Sequence, residues 1–467
     1  MTKQSIGHEQ SAKYQYFAAL VVNIFLMCYG VTCGWASPSI ILLMSDETPL
    51  PSGKITMDEA SYVASLICIG GLIGNIVFGF ITNKFGRKIP LLFLTLPAII
   101  SWTLIWFAQN VYYLYAARLL NGFFGGGIYT IVPLFLSEIA VDRVRGVLGS
   151  TLVLSGNIGI LIAFTLGNYF DFTITPKFVI ASAALCFVLL FSFPETPLFL
   201  MKQNKISEAE KSIRFYQNLK GDTDYEVLQT EMNKLRSSLE GNSPNKTTNN
   251  SLKCSDLMTG SGKKAMIIGI VLAALNQLCG CFAMLQYTAN IFKEAGSNMS
   301  PNMSAIVVGV IQLLGSYVAS ALVDRAGRKF LFAVSTIGIA CGSITLGVYM
   351  MLKTSGYDVE SVNWIPIVSF SFVIFIASWA VLTLPFLVIS EILPEKLKNF
   401  GTSFCMAILW SSSYAMIKYL PLLTDTFGFH GTLFIFSAVC LASAIFIIFY
   451  MPETKGKSYE EIMNLLQ

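Results

Sequence analysis

The sequence predicts an all-α membrane protein with twelve transmembrane helices, arranged as two related halves of six helices each. Three observations predict this fold class. The chain has 467 residues, of which 54% are hydrophobic and 12% charged, whereas soluble domains carry roughly 25% charged residues. Apolar runs long enough to span a membrane recur along the chain. Charged motifs follow two of the first six runs, and similar motifs follow the corresponding runs of the second six. Too few charges remain to cover a soluble enzyme of this length.

Twelve runs are long enough for transmembrane helices, which need about 20 residues each. These predicted spans are 16–38, 61–81, 89–108, 112–136, 147–170, 178–193, 265–288, 304–323, 330–352, 363–389, 400–423 and 432–451. The number of spans is even, so both termini are expected on the same side of the membrane.

One long polar segment, 194–264, separates the sixth and seventh spans. Its first part has the composition of short amphipathic helices, and its second part is rich in Asn, Ser and Thr, which is typical of a flexible linker. The predicted organisation is a terminal segment 1–15, a first half 16–193, the linker 194–264, a second half 265–451 and a tail 452–467.

The short loops predict the orientation, because cytoplasmic loops carry an excess of Lys and Arg. The loops after spans two, four, eight and ten hold Lys84, Arg87, Lys88, Arg143, Arg145, Arg325, Arg328, Lys329, Lys396 and Lys398. The loops on the other side hold only Lys54, Lys177, Lys293 and Lys353. The linker and both termini are therefore expected to be cytoplasmic.

The charged motifs of the two halves correspond to one another. A Gly-Arg-Lys sequence follows spans two and eight, a glutamate closes spans four and ten, and a basic residue stands seven positions after each glutamate. The corresponding residues are Arg87, Glu138 and Arg145 in the first half, and Arg328, Glu391 and Lys398 in the second. Two coincidences at the same offset indicate a duplicated six-helix unit.

These six residues are candidates for a cytoplasmic gate. A carboxylate at a helix end can pair with a guanidinium from a neighbouring loop, and arginine supplies a forked geometry for this. We call Arg87, Glu138 and Arg145 the first latch, and Arg328, Glu391 and Lys398 the second latch. The alternative is that the basic loops only set the orientation in the membrane. The glutamates favour the gate, because orientation does not require them.

Other classes of function find little support in the sequence. Histidine occurs twice, so a histidine-built metal or acid–base site is not expected. Most cysteines lie within apolar runs, where they behave as small apolar residues. The basic residues lie between spans rather than on one patch, so no nucleic acid partner is expected. No nucleophile–base pair, phosphate loop or metal-ligand cluster occurs, and neither an enzyme nor a cofactor is expected.

Several motifs along the whole chain carry a resemblance to a known family. They include Gly34-Trp35-Ala-Ser37-Pro38, Arg118-Leu-Leu-Asn-Gly122, Pro133-Leu-Phe-Leu-Ser-Glu138, Gly156-Asn-Ile-Gly159, Pro194-Glu-Thr-Pro197, Asp324-Arg-Ala-Gly-Arg-Lys329 and Pro452-Glu-Thr-Lys-Gly456. The chain resembles the sugar porters of the major facilitator superfamily, and within them the insect facilitative trehalose and glucose transporters. This resemblance implies the major facilitator fold, alternating access to a sugar site at mid-membrane, and a monomer in the plasma membrane.

The resemblance also implies where a sugar binds. The implied residues are Asn276, Gln277 and Phe282 in span seven, Gln312 in span eight, Ser378 and Phe386 in span ten, and Trp410 in span eleven. Amides both donate to and accept from hydroxyls, and aromatic rings cover the apolar face of a sugar. The chain departs from the family pattern because Phe282 replaces an amide, Ser378 an acid and Phe386 a tryptophan. The alternatives are hydrogen bonding between helices for the amides and packing or lipid contact for Trp410 and Phe386.

The coupling mode can be predicted from the absence of intramembrane acids. Proton-driven members of the family carry an acid where Thr32 stands, and no Asp or Glu lies in the middle of any predicted span. A proton relay needs a titratable group within the membrane, so facilitated diffusion is expected. Arg118 is expected to be structural, either near the cytoplasmic mouth or bonded to backbone acceptors. Lys418 is expected to extend towards the outer interface.

Two alternatives from other functional classes stay open. One is a sugar sensor on the same fold that does not transport, which the altered site and the long linker support. The other is a facilitator of a non-sugar solute such as an organic ion, which would need a charge lining the cavity.

Overall fold

The computed structural model describes residues 12–219, 225–241, 260–296, 299–457 and 459–466. Within these ranges the chain is helical, with turns between the helices and no β-strand. Helices are expected in a bilayer, because each one satisfies its own backbone hydrogen bonds. The prediction of an all-α membrane protein is confirmed.

Six helices form the first half. They are α1 (Lys13–Leu43), α2 (Met57–Phe85), α3 (Lys88–Trp106), α4 (Val111–Ile139), α5 (Asp142–Tyr169) and α6 (Ile174–Leu190). Most are longer than the apolar runs that predicted them, because each helix continues into the polar residues at the membrane surface.

Three short helices follow: α7 (Pro197–Lys202), α8 (Ile206–Tyr216) and α9 (Tyr225–Gly241). They share a small apolar core that includes Met201, Ile213 and Met232. The Tyr216 hydroxyl ties α8 to the end of the first half by donating to the Pro194 carbonyl oxygen at 2.8 Å. Burial raises the pKa of Tyr216 well above its ordinary value, so this phenol remains a donor at neutral pH. The second part of the predicted linker, 242–259, lies outside the described residues.

The second half is built from more numerous helices, several of which are short. They are α10 (Gly260–Leu278), α11 (Cys281–Gln286), α12 (Thr288–Ala295), α13 (Pro301–Ala326), α14 (Arg328–Thr354), α15 (Ile365–Ala377), α16 (Pro385–Ile392) and α17 (Glu395–Tyr450), followed by α18 (Tyr459–Leu465). A single 3₁₀ turn, Glu360–Val362, precedes α15.

Two spans of the second half are broken, which the apolar runs did not indicate. The seventh span is α10 to α12, and it bends at Gly280, whose φ of 77° is left-handed. A Cβ at Gly280 would also lie 2.3 Å from the Phe436 ring, so the site requires glycine. The tenth span is α15 and α16, separated by the turns of residues 378–384 before Pro385.

The described helices cross the membrane twelve times. Ten helical segments are long and apolar enough to span it, α6 is a shorter apolar helix, and the segment Phe400–Tyr450 holds two spans. Gly428, with a φ of 72°, separates these two. Near the N-terminus, Gln15 accepts from the amide of Val141, which follows the end of α4. Near the C-terminus, Glu453 accepts from the amide of Arg328, which begins α14. Both of these helix ends lie on the same side as α7–α9, so both termini lie there too. We call this side the linker side. The other side is called the opposite side.

Glycines allow α2 and α4 to pack backbone against backbone. Cβ atoms added at Gly70, Gly74, Gly122 or Gly126 would lie 2.0 to 2.3 Å from a carbonyl oxygen of the other helix. Small residues at such spacing let transmembrane helices approach closely, where dispersion rather than the hydrophobic effect holds them together. The first half is therefore a tightly packed body.

This packing makes a testable prediction for Gly74. Gly74→Ala is expected to lower the thermal unfolding midpoint in detergent, because the new Cβ would lie 2.3 Å from the Phe123 carbonyl oxygen. Overpacking of this kind costs about 1–3 kcal/mol. Gly79→Ala in the same helix is the matched control, since a Cβ there meets nothing within 4 Å and alanine favours a helix by about 1 kcal/mol. Equal midpoints for the two variants would contradict the close packing.

Candidate functional site

Hydrogen bonds join the two halves between mid-membrane and the opposite side. The hydrogen bonds that the structure describes between halves join Cys68 to Ser413, Asn157 to Ser316 and Gln312, Tyr169 to Met303, Ser37 to Ala289, and Lys418 to Asp58 and Ser61. One ring contact, between Tyr129 of α4 and Phe386 of α16, also joins them. The hydrogen-bonded residues lie in the middle of their helices or nearer the opposite side, whereas Tyr129 and Phe386 lie nearer the linker-side ends of their spans. The described polar contacts of the linker side lie within one half or between that half and α7–α8.

An ion pair connects the halves at the opposite side. Lys418 Nζ donates to Asp58 Oδ1 at 2.6 Å and to Ser61 Oγ at 2.8 Å. The ammonium group also lies 3.2 Å from the centroid of the Tyr62 ring. The Lys418 side chain is only 9% exposed, whereas the Asp58 side chain is 76% exposed, so the carboxylate stays hydrated and the ion pair alone contributes little. Through these three contacts together, Lys418 joins α17 to the start of α2.

The amides of the seventh span bond mainly to protein groups. Asn276 Nδ2 donates to the Val381 carbonyl oxygen at 2.6 Å, and its Oδ1 accepts from Gln277 Nε2. Val381 lies in the turns that interrupt the tenth span, so Asn276 fastens one broken span to the other. This arrangement favours the interhelical interpretation of Asn276.

The amide of the eighth span faces the first half. Gln312 Nε2 donates to Asn157 Oδ1 at 3.2 Å, and Asn157 Nδ2 donates to Ser316 Oγ at 2.6 Å. Gln312 Oε1 is buried and has no donor among the described residues. A buried unpaired oxygen is costly, so this atom is a natural acceptor for a bound hydroxyl.

Sequence reasoning did not select Asn157 or Gln286. Asn157 lies within a motif that identified the family, yet its contact with Gln312 depends on the packing of the two halves. Gln286 lies in α11, and its buried Oε1 also has no donor among the described residues. Gln286 lies four residues after Phe282 and therefore on the same helix face. This spacing could have identified Gln286 as a candidate site residue.

The remaining candidates differ in their surroundings. Trp410 is buried against Gly71 of α2, where a Cβ would lie 2.5 Å from the indole. Phe282 and Phe386 are partly buried. The Ser378 hydroxyl donates to the Ile374 carbonyl oxygen at 2.8 Å, a bond within its own span. The structure thus places Trp410 and Phe386 at the junction of the halves, and gives Ser378 a local bond.

Arg118 is buried and bonded to backbone acceptors, the second of its two predicted environments. Its Nε donates to the Val63 carbonyl oxygen and its Nη1 to the Thr32 carbonyl oxygen, both at 2.7 Å. The guanidinium also lies 5.7 Å from the centroid of the Trp35 ring. No Asp or Glu of the described residues pairs with it. Arg118 lies seven residues after the start of α4 at Val111, which is nearer the opposite side than the linker side.

The first latch is closed and fully bonded. Arg87 donates from Nη2 and Nε to Glu138 Oε1, at 2.6 and 3.1 Å. Both side chains are 4% exposed. The second carboxylate oxygen of Glu138 accepts from Thr196 Oγ1 at 2.6 Å, and Arg87 Nη1 donates to the Thr82 carbonyl oxygen. Every group of this buried pair therefore has a partner, as a stable buried ion pair requires.

A second carboxylate, Glu195, holds the start of α3. It accepts from the backbone amides of Arg87 and Lys88 at 3.0 to 3.1 Å. An anion is favoured at a helix N-terminus, where amides are free and the helix dipole is positive. Gly86 permits this approach, because its φ is 87° and a Cβ would lie 2.3 Å from Glu195 Oε2. The Pro-Glu-Thr sequence follows both halves, and in the sequence analysis it served only as evidence for the family resemblance. This repetition could have identified the role of Glu195.

The second latch repeats this plan but is looser. Glu453 accepts from the Arg328 and Lys329 amides at 2.8 and 3.1 Å, beside Gly327 with a φ of 88°. Arg328 Nη2 lies 3.5 Å from Glu391 Oε1, and these side chains are 14% and 24% exposed. Glu391 Oε2 and Thr454 Oγ1 are buried without a partner among the described residues. The matching atoms of Glu138 and Thr196 are bonded in the first latch.

The two basic residues that complete the latches are less informative. Arg145 Nη2 donates to the Ala140 carbonyl oxygen at 3.3 Å and so lies beside the end of α4. The Lys398 side chain lies outside the described part of the structure. Among the described residues, no group of three or more His, Cys, Asp or Glu side chains could hold a metal ion.

Comparison with known proteins agrees with this architecture. The family model described as "Sugar (and other) transporter" matches residues 10–466. The facilitated trehalose transporter Tret1 of Polypedilum vanderplanki is 33% identical over 96% of this chain and 87% of its own length. That of Bombyx mori is 30% identical over 96% of this chain and 86% of its own length.

Solved structures show the same fold. The xylose transporter XylE from E. coli, in a structure described as inward open, has a TM-score of 0.77 at 20% identity and covers 97% of this chain and 100% of its own. This likeness shows the major facilitator fold, with twelve spans in two halves. The chain belongs to the sugar (and other) transporter family.

Proposed function

We propose that this protein is a facilitative transporter that moves a sugar, such as glucose or trehalose, by alternating access. The observation that carries the proposal is the junction of the halves at mid-membrane, where amide and aromatic side chains meet and Gln312 Oε1 is buried without a donor. Hydroxyl-rich ligands suit such groups, because amides can accept and donate at once. The relatives named as trehalose and xylose transporters support the same substrate class.

The proposed substrate site comprises the candidates of the second half. Gln277 and Gln312 would bond to sugar hydroxyls, and Phe282, Phe386 and Trp410 would cover the apolar face of the sugar. Asn276 and Ser378 belong to the same wall, and their bonds to backbone carbonyl oxygens support a role in shaping it.

The linker side is proposed to be cytoplasmic, in the plasma membrane, with the protein acting as a monomer. In this conformation the described polar contacts between halves end at mid-membrane, which supports a site open to the linker side. Each latch joins helix ends within one half, so the first latch can stay bonded while the linker-side ends of the two halves are apart. The two latches are proposed to act as the cytoplasmic gate when those ends come together and the site faces outwards. The Lys418–Asp58 ion pair would hold the outer side closed and would break when the site opens outwards.

The proposed mode is uniport. Arg118 is bonded to the backbone carbonyl oxygens of Thr32 and Val63 instead of to an intramembrane carboxylate. A proton relay needs a titratable group within the membrane, so the lack of such a carboxylate beside Arg118 supports uniport.

Uptake of labelled glucose, fructose and trehalose by oocytes expressing the chain, at two external pH values, tests this proposal. Transport is expected to saturate, to dissipate a sugar gradient and to change little with pH, because no intramembrane acid titrates. Water-injected oocytes are the control. Accumulation against a gradient would contradict uniport. Normal surface delivery with no sugar flux would favour the sensor or the non-sugar carrier.

The two latches make a matched pair for a second prediction. Glu138→Gln is expected to reduce uptake per surface molecule more than Glu391→Gln does. The first ion pair is buried at 2.6 Å, whereas the second is at 3.5 Å and partly exposed. Breaking a fully buried pair costs about 3–5 kcal/mol, and breaking the longer, partly exposed second pair is expected to cost less. Uptake normalised to surface biotinylation measures the effect. If Glu138→Gln keeps full flux, the gate is contradicted, and the basic loops only set the orientation of the protein in the membrane.

The orientation can be measured separately. Epitope tags at either terminus, or within residues 241–250, are expected to bind antibody only after the cells are permeabilised, because the loops of this side carry most of the Lys and Arg. A tag in the loop between spans one and two serves as the accessible control. Labelling of a terminal tag on intact cells would reverse the proposed orientation.

A further inference from the structure

Tyr129 joins the two halves at the level of the candidate site. Its ring lies parallel to that of Phe386, with an interplanar angle of 8° and centroids 6.3 Å apart. Tyr129 belongs to α4 of the first half, and Phe386 to α16 of the second. Aromatic pairs attract one another at centroid distances of about 4.5–7 Å, so the two rings form a contact across the junction.

The first half holds the Tyr129 ring in place. Tyr29 of α1 meets it edge to face, with centroids 5.5 Å apart and an interplanar angle of 88°. Tyr29 is itself buried against Gly125, where a Cβ would lie 2.0 Å from the ring. Gly125 precedes Tyr129 by one helical turn, so the absence of a side chain at Gly125 lets the supporting ring lie against α4. Packing against Tyr29 therefore fixes the orientation of the Tyr129 ring.

Part of the Tyr129 side chain is nevertheless not covered by protein. Its side chain is 45% exposed, although it lies ten residues before the end of α4 and touches α1 and the other half. The exposed part therefore faces the space between the halves. No group among the described residues donates to or accepts from its hydroxyl in a hydrogen bond. A fixed ring with an unengaged hydroxyl in an internal space is suited to bind a polar ligand.

The chemistry of Tyr129 matches what the candidate site lacks. Phe282, Ser378 and Phe386 offer less hydrogen bonding than the groups the family pattern places there. A tyrosine supplies both an apolar face and a polar end, and its phenol can donate to or accept from a sugar hydroxyl. The parallel Tyr129 and Phe386 rings present two flat apolar faces, one from each half.

We propose that Tyr129 is a specificity-determining residue of the substrate site. Its ring packs against Phe386 across the junction, and its hydroxyl bonds to one hydroxyl of the bound sugar. This ring pair must separate as the halves rock, so Tyr129 contacts substrate from the first half while the amides do so from the second. This inference rests on the proposed sugar transport.

Three variants test the proposal. Tyr129→Phe removes only the hydroxyl, Tyr129→Leu also removes the ring, and Tyr317→Phe is the control because Tyr317 is 69% exposed on α13 and outside the site. The measurements are concentration-dependent uptake of the sugar that the wild type carries, normalised to surface protein, and competition by the 2-, 3-, 4- and 6-deoxy analogues of that sugar. Tryptophan-fluorescence titration of the purified protein measures binding independently.

Tyr129→Phe is expected to raise KM about fivefold with little change in maximal rate, as loss of one hydrogen bond implies. Tyr129→Leu is expected to raise it a further threefold to tenfold or so. One deoxy analogue, lacking the hydroxyl that meets Tyr129, should bind wild type and Tyr129→Phe equally well. The other analogues should keep the fivefold difference. A merely structural role would shift all analogues together.

Two results would overturn the inference, and they are distinguishable. If the wild type carries a sugar and Tyr129→Phe matches it for every analogue in uptake and binding, Tyr129 does not contact substrate while the proposed function stands. If the wild type neither carries nor binds any of the sugars despite surface delivery, the proposed function fails and the role of Tyr129 fails with it.

Discussion

Backbone polar groups inside a bilayer need partners from the protein, and much of this structure follows from that requirement. The seventh and tenth spans are broken at Gly280 and at residues 378–384, so carbonyl groups there lose regular helix partners. Asn276 satisfies one of them by donating to Val381. Arg118 likewise donates to carbonyl oxygens of α1 and α2. Polar side chains in the middle of the membrane therefore mainly hydrogen-bond one helix to another. An atom that lacks such a bond, such as Gln312 Oε1, is available to bind a ligand.

At the membrane surface the same requirement is met by carboxylates. Glu195 and Glu453 accept from the first amides of α3 and α14, which no helix can satisfy internally. The arginine of each Gly-Arg-Lys sequence thereby has its backbone bound by one glutamate and its side chain by another. Glycine is needed before it for the left-handed turn and for the approach of the carboxylate. The motif is thus a compact design for joining three helices at one point.

The sequence was sufficient to predict the twelve spans and their two related halves, because hydropathy and repeated charge are local signals. It could not predict contacts that depend on how distant helices meet. Lys418 and Asp58 are 360 residues apart, and Asn157 reaches Gln312 across the junction of the halves. The sequence also did not predict the break at Gly280, since glycine occurs in continuous transmembrane helices as well. The roles of the seven candidate substrate residues remain predictions, and Asn276 shows why: an amide that suits a sugar suits a carbonyl oxygen equally.

The latches have a kinetic consequence for a carrier that moves one solute and no ion. If the number of latch bonds differs between the inward-facing and outward-facing states, for example at Glu391 Oε2 and Thr454 Oγ1, which have no partner among the described residues here, the empty protein has a preferred resting orientation, because the orientation that satisfies more groups is more populated. Such a preference makes the apparent affinities measured from the two faces unequal. The maximal rates in the two directions must then differ by the same ratio, since detailed balance allows no net flux at equal concentrations. Asymmetry in a latch can therefore set the direction in which the carrier works fastest without ever supplying a driving force.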